Sequence, residues 1–239
     1  MEYHQDRFKD FSILLFKDDN LIAIFPANQD KNIIYSHQGL TYGGLVLSKT
    51  IKFNDALNIY KELLTFLNTN GISTVIVKLI PKIFHQLPCD EIDYLLFKTD
   101  AMLLRRDILS SLKIGTENFS RDRINGVKRG EKNNLEVREV DTFQEFWNDI
   151  LLPNLSSRHN VLPVHTLEEI SSLKSKFPNN IRQFNVYYND TIVAGTTVFE
   201  TNNVAHSQYI SGNADKNTLG SLDFLHNHLI KNVFNKKQY

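Results

Sequence analysis

Apolar positions along the chain follow two rhythms. Phe11 to Phe16 is an apolar run rich in β-formers, Lys17-Asp18-Asp19-Asn20 reads as a turn, and Leu21 to Ala27 returns as a second strand. Asn28 to Asn32 breaks that strand, and a third, Ile33 to Gly39, precedes the Gly-containing stretch Leu40 to Leu47. The rhythm then becomes helical. Ala56, Leu57, Tyr60, Leu63, Leu64 and Leu67 share one face over Phe53 to Leu67, Gly71 is a stop signal, and Ser73 to Ile80 is a β-branched run fit for a buried strand.

The same order returns later. Laid on itself so that Asp19 meets Asp190, the chain also matches Leu21 with Ile192, Ile22 with Val193 and Ala23 with Ala194. Asn32 then meets Asn203, Ile33 meets Val204 and Ser36 meets Ser207, with no gap. The second copy reads as strands over Arg182 to Tyr188, Thr191 to Glu200 and Val204 to Ser211, a polar loop over Gly212 to Thr218, and an amphipathic helix over Leu222 to Phe234. Each copy is a three-strand meander feeding a helix. The first continues into a further strand, as a unit leading to a parallel neighbour does. Ahead of the second copy lie a basic helix, Ser120 to Asn133, and a strand, Leu135 to Val140. Two more helices follow, Thr142 to Ser156 with Phe143, Phe146, Ile150 and Leu151 inward, and Thr166 to Phe177 with Thr166 capping and Glu169 at its third position. The expected division is 1–115 and 116–239.

Composition narrows the class. With 239 residues, 41% hydrophobic and 23% charged, 16 Phe and 9 Tyr, the chain has ample material for a packed core. Lys plus Arg equals Asp plus Glu at 27 each, so no global field calls for nucleic acid and any such role falls to a local patch. The lone Cys89 suits a reducing compartment and an inert filler. A charged start over Met1 to Asp10 and the absence of any apolar run near ~20 residues lead to the expectation of a cytoplasmic protein without a membrane span. No Cys, His and carboxylate cluster has metal-site spacing, and His226 and His228 stand two apart on a helix, so no metal is expected.

A strand, two helices, a three-strand meander, a loop, a helix and a further strand is an order that resembles the GNAT superfamily of acyltransferases. Two such lobes in tandem with a basic helix opening the second resemble the FemAB-like branch, as do the stretches Tyr35-Ser36-His37-Gln38-Gly39-Leu40-Thr41-Tyr42-Gly43-Gly44, Ser157-Arg158-His159, Pro163-Val164-His165-Thr166 and His206-Ser207-Gln208-Tyr209. The resemblance covers nearly the whole chain. It implies a mixed-sheet α/β fold in two tandem GNAT-like lobes, the second C-terminally incomplete, because relatives carry further strands after its last helix. The edge beside Val204 to Ser211 is then expected to be open to a partner or to a second copy.

The resemblance also implies chemistry: an amine attacks an acyl carbonyl directly, and the protein supplies orientation, a base and an oxyanion donor. His37 and His206, on the two third strands, are the candidate bases, against the alternative of histidines hydrogen-bonded to a neighbouring strand. Tyr35, Gln38, Tyr42, Gln208 and Tyr209 are candidates to line the cleft or to satisfy one another. Arg158 and His159 suit a carboxylate or phosphate of the substrate, or a surface ion pair. In relatives a Gly-rich turn at a helix N-terminus holds the pyrophosphate of acetyl-CoA or another acyl-CoA. Here only Gly220 and Ser221 stand where such donors are needed, with Asp215 of the wrong sign nearby. Arg121, Arg123, Lys128, Arg129 and Lys132 form the local basic excess, a candidate tRNA contact or a solvated helix face. The expectation is a FemAB-like N-acyltransferase acting on an amine of a sugar or peptide-like cell-envelope precursor. The alternatives are aminoacyl-tRNA-dependent transfer and a non-catalytic binding protein with a degenerate fold.

Overall fold

A computed structural model describes residues 6–239, except the side chain of His159. The chain divides into two compact units, Met1–Ile108 and Leu109–Tyr239.

In the first unit, β1 (Lys9–Asp10) and β2 (Ile13–Lys17) run antiparallel to β3 (Asn20–Phe25) and β4 (Asn28–Asp30). The pairing is continuous, since Phe11 N–H donates to Ala27 O between the two ladders. Asn28–Asp30, which reads as a break in the sequence, is therefore the far end of the second strand beyond Pro26. It pairs with β5 (Ile33–Tyr35), and β6 (Val46–Leu47) extends that side against Ala23 and Ile24. β5 in turn pairs in parallel with β7 (Thr74–Ile76), reached through α1 (Phe53–Thr69). The expected meander, helix and parallel neighbour are all present. The third strand is shorter than the sequence suggests, however, and stops at Tyr35 rather than Gly39. Of the expected face Ala56, Leu63 and Leu67 are buried on α1, joined by Ile59, whereas Leu57 is exposed because it points away from the sheet. Ile59, Leu63 and Leu67 pack with Ala23, Phe25, Ile34 and Leu45. A second helix, α2 (Glu91–Lys98), had no counterpart in the sequence reading.

The second unit is a four-stranded antiparallel sheet in the order β11–β10–β9–β8, with β8 (Glu136–Val140), β9 (Ile181–Tyr188), β10 (Thr191–Glu200) and β11 (Ala205–Gly212). Its strands lie within one or two residues of those expected. The two hairpins that the repeat aligns share one turn geometry: Asp18-Asp19 and Asn189-Asp190 are both left-handed pairs, as two-residue primed turns require. Helices pack on both faces. On one face, α7 (Ser221–His228) and the π-wound turn Leu229–Val233 bring Leu225 and Leu229 onto Phe184, Val186 and Val198. On the other, a π-wound segment, Phe146–Leu151, leads into α4 (Leu152–His159) and buries Phe146, Trp147, Ile150 and Leu151. Phe146 fits only because residue 195 is glycine; a Cβ there would stand 2.6 Å from the ring. α5 (Leu167–Lys176) begins with the expected capping box of Thr166 and Glu169.

The basic helix, α3 (Arg121–Lys132), is capped by Ser120 and packs on α7 through glycines. A Cβ on Gly126 would stand 1.8 Å from Asp223 Oδ2, and one on Gly130 would stand 2.6 Å from Phe224 Cβ. The helices therefore approach more closely than any side chain on those positions allows. Among the described residues, no helix is long and apolar enough to cross a membrane.

Candidate functional site

The face of the second unit's sheet that lies under Trp147 gathers the candidate residues His206 and Tyr209. Tyr209 pairs with Thr197 and His206 pairs with Phe199, two residues further along β10, so both side chains share one face. Strict alternation would put residues 206 and 209 on opposite faces. A bulge between Thr197 and Val198 in the β10–β11 ladder inserts the extra residue that aligns them.

Tyr209 is buried, with its ring edge-on to Trp147 at 4.9 Å between centroids. Its hydroxyl oxygen accepts the His165 backbone N–H at 3.1 Å and lies 2.6 Å from His165 Nδ1. The His165 ring is 5.9 Å from that of Tyr209 and 6.3 Å from that of Phe199. His165, set aside in the sequence as a support for the Thr166 turn, thus belongs to the Tyr209 cluster; its signal was only its place beside a helix cap. His206 is half-buried. Burial pushes its imidazole below the ordinary value of 6.5, and a hydrogen bond with the Gln208 side chain opposes that shift in part. It is therefore neutral near pH 7, with a proton-accepting nitrogen, as a base requires.

Beside the cluster a row of polar side chains starts on β10 and runs along β9. Thr197 Oγ1 donates to Gln183 Oε1 at 2.6 Å, Gln183 Nε2 to Asn185 Oδ1 at 2.8 Å, and Asn185 Nδ2 to Tyr187 Oη at 3.1 Å. The Tyr187 hydroxyl donates to the Glu145 carboxylate. Burial, then Glu145, pushes the Tyr187 phenol up. None of these residues is singled out in the sequence, where Arg182 to Tyr188 reads simply as a strand.

The candidates of the first unit sit in a separate construction. Ser36 and Gly43 form the neck of a loop, where a Cβ on Gly43 would meet Ser36 O at 2.4 Å. His37 follows the end of β5 instead of lying on a strand. It is buried, left-handed at φ 60°, edge-on to Phe8, and its Nδ1 accepts the Gly39 N–H at 3.2 Å. Gln38 is tied to Asn28, receiving its side-chain N–H at 2.8 Å and donating a backbone N–H at 2.7 Å. Tyr35 pairs with Asn28 in the ladder, and Tyr42 packs on Phe84 at 4.8 Å with its phenol pushed up by burial. Lys78 donates to the carbonyls of Leu40 and Gln38, and burial pushes its ammonium down.

Gly220 and Ser221 do not offer a cradle to the pyrophosphate of coenzyme A. Gly220 is left-handed and buried, its N–H donates to Lys216 O, and the Gly126 carbonyl of α3 would be 2.1 Å from any Cβ on it. Ser221 is fully buried. The positive start of α7 is already served by the chain, with Asp223 in its first turn paired to Arg123 at 2.7 Å. Of the basic stretch, Arg123 is thus engaged, and Arg129 Nε donates to Asn217 O. Arg121, Lys128 and Lys132 remain exposed. Arg158 is exposed at the end of α4, and the side chain of His159 lies outside the described residues.

No protein-family model and no curated protein matches the sequence. Among solved structures the chain is similar to FemX, with a TM-score of 0.60 and 10% identity over 96% of this chain and 78% of FemX. It is also similar to the C-terminal domain (DUF2156) of a protein named as a lysylphosphatidylglycerol synthetase from Agrobacterium fabrum, with a TM-score of 0.56 and 14% identity over 92% of this chain. The chain spans just under two thirds, 66%, of that domain. The likeness is one of fold: this chain has the mixed α/β, GNAT-like fold of both neighbours.

Proposed function

We propose that the chain is a FemAB-like transferase that moves an acyl or aminoacyl group to an amine of a sugar or peptide-like cell-envelope precursor. The observation that supports this most is the fold likeness to FemX along 96% of the chain. In this reading the amine nitrogen attacks the acyl carbonyl carbon, the amine proton passes to His206, and the ester or thioester bond breaks as the leaving oxygen or sulfur takes a proton back. Tyr209, held by His165, and Gln208 line the acceptor, and backbone N–H groups of β11 are the candidate oxyanion donors.

Aminoacyl-tRNA is the donor favoured by a second observation. The helix start that would hold an acyl-CoA pyrophosphate is covered by α3, whereas Arg121, Lys128 and Lys132 remain exposed on that same helix. The test presents the purified chain with acyl-CoA or with charged tRNA, together with amine acceptors, and follows amide formation by mass spectrometry. Amide formation with either donor, lowered about a hundredfold in His206→Asn, is the expected result. No amide with any donor, or a His206→Asn rate equal to wild type, refutes the reading, and tRNA binding that ignores salt refutes the second donor.

A further inference from the structure

Beside the glycine seam that joins α3 to α7, the two helices and the residue before the Ser120 cap enclose a slot of about 260 Å³. Its lining is mostly apolar, with Phe119, Ile124 and Val127 from the α3 side and Ile230 from the turn that continues α7. The slot lies on the α7 side of the sheet, whereas Tyr209 stands under Trp147 on the other, so it is no part of the candidate site. His226 also lines it. Its Nδ1 lies 2.9 Å from the Leu222 carbonyl oxygen, one turn back on its own helix; a carbonyl only accepts, so Nδ1 carries a proton. Burial pushes the imidazole below its ordinary value of 6.5, which keeps it neutral near pH 7 and leaves Nε2 with a lone pair. With Nδ1 turned to the helix backbone, Nε2 stands at the outer edge of the ring, on the slot side. Among the described residues Nε2 has no hydrogen-bond partner. The rim carries charges of both signs and selects no net ion: Arg123 is paired with Asp223, and Lys128 and Lys231 share the rim with Glu131.

We propose that the slot between α3 and α7 binds a small uncharged aryl compound carrying one hydroxyl or ring N–H, its ring against Phe119, Val127 and Ile230 and its donor on His226 Nε2. Apolar walls with a few placed polar atoms are the usual make-up of a small-molecule site. A pure hydrocarbon entering the slot strips water from Nε2 and returns no hydrogen bond, whereas a donor on the same framework restores it. The site involves no transfer step, so this assignment and the transferase reading stand or fall separately.

Titration of the purified full chain with indole, followed by amide NMR, tests it, with benzofuran, of the same shape but with a ring oxygen in place of the N–H, as the control. Saturable shifts centred on amides of α3 and α7 are expected with indole, and an affinity about tenfold or more lower with benzofuran. His226→Phe keeps a ring but removes the lone pair, and is expected to bring the two ligands within about twofold of one another. Ile124→Trp, at an exposed position of α3, fills the slot and is expected to abolish binding of both. That result stands whether or not His226→Phe folds. No saturable binding of indole, equal wild-type affinity for indole and benzofuran, discrimination retained in a folded His226→Phe, or indole binding unchanged in Ile124→Trp overturns the proposal.

Discussion

Tyr209 Oη accepts the His165 backbone N–H at 3.1 Å and lies 2.6 Å from the same residue's Nδ1, so one phenol fixes both the start of a turn and the orientation of an imidazole. The pair joins β11 to the segment that caps α5, at the face where His206 also stands.

Tyr209→Phe removes that oxygen and leaves the buried His165 N–H and Nδ1 without it. Urea unfolding is expected to show a loss of about 1–3 kcal/mol, the cost of unsatisfied buried polar groups. A loss within ~0.5 kcal/mol, the range of neutral surface changes, would show the contact to be dispensable.

Gly130→Ala places a methyl group where Phe224 Cβ stands, 2.6 Å away and close to the α7 backbone, which cannot swing aside. Overpacking between α3 and α7 is expected to cost about 1–3 kcal/mol. Lys132→Ala, on the exposed side of the same helix, is the control and should stay within ~0.5 kcal/mol. Equal effects would mean that the glycines do not set the helix approach.

His206 titrates below 6.5 in the folded chain because burial disfavours its charged form. The unfolded chain then binds the proton more readily, so this residue contributes no pH dependence above its unfolded pKa. It lowers stability as pH falls through that value toward the folded pKa. His226 is shifted the same way by burial. Melting temperatures measured from pH 8 down to about 5 should fall, and His206→Gln should flatten part of that fall. An NMR titration that places the His206 ring above 6.5 would contradict the burial of its cation.

Thr166→Ala breaks the capping box in which Thr166 Oγ1 accepts the Glu169 N–H at 3.1 Å and Glu169 Oε2 accepts the Thr166 N–H at 2.8 Å. The loss is expected near 1 kcal/mol, read from denaturant midpoints at unchanged slope. Since His165 precedes the cap directly, near-UV dichroism of the Tyr209 and Trp147 cluster should change with it.

Local chemistry alone determined much of this molecule. The primed turns at Asp18-Asp19 and Asn189-Asp190, the cap at Thr166, the apolar face of α1 and the inward stripe of Phe143, Phe146, Ile150 and Leu151 each depend on residues within a few positions of one another. Periodicity and turn preference therefore carry them, and with them the order of strands and helices that resembles a GNAT-like fold. Contacts between distant segments decided the rest. The end of β5 at Tyr35 follows from the Ser36–Gly43 neck, and the burial of Asn185 follows from Glu145 and Phe146 packing over that face. The shared face of His206 and Tyr209 follows from a bulge that no residue type announces. Gly126 and Gly130 look like weak points in a basic helix until α7 is packed against them. A residue's neighbours along the chain set its backbone, but its charge, burial and partners depend on which segments fold over it.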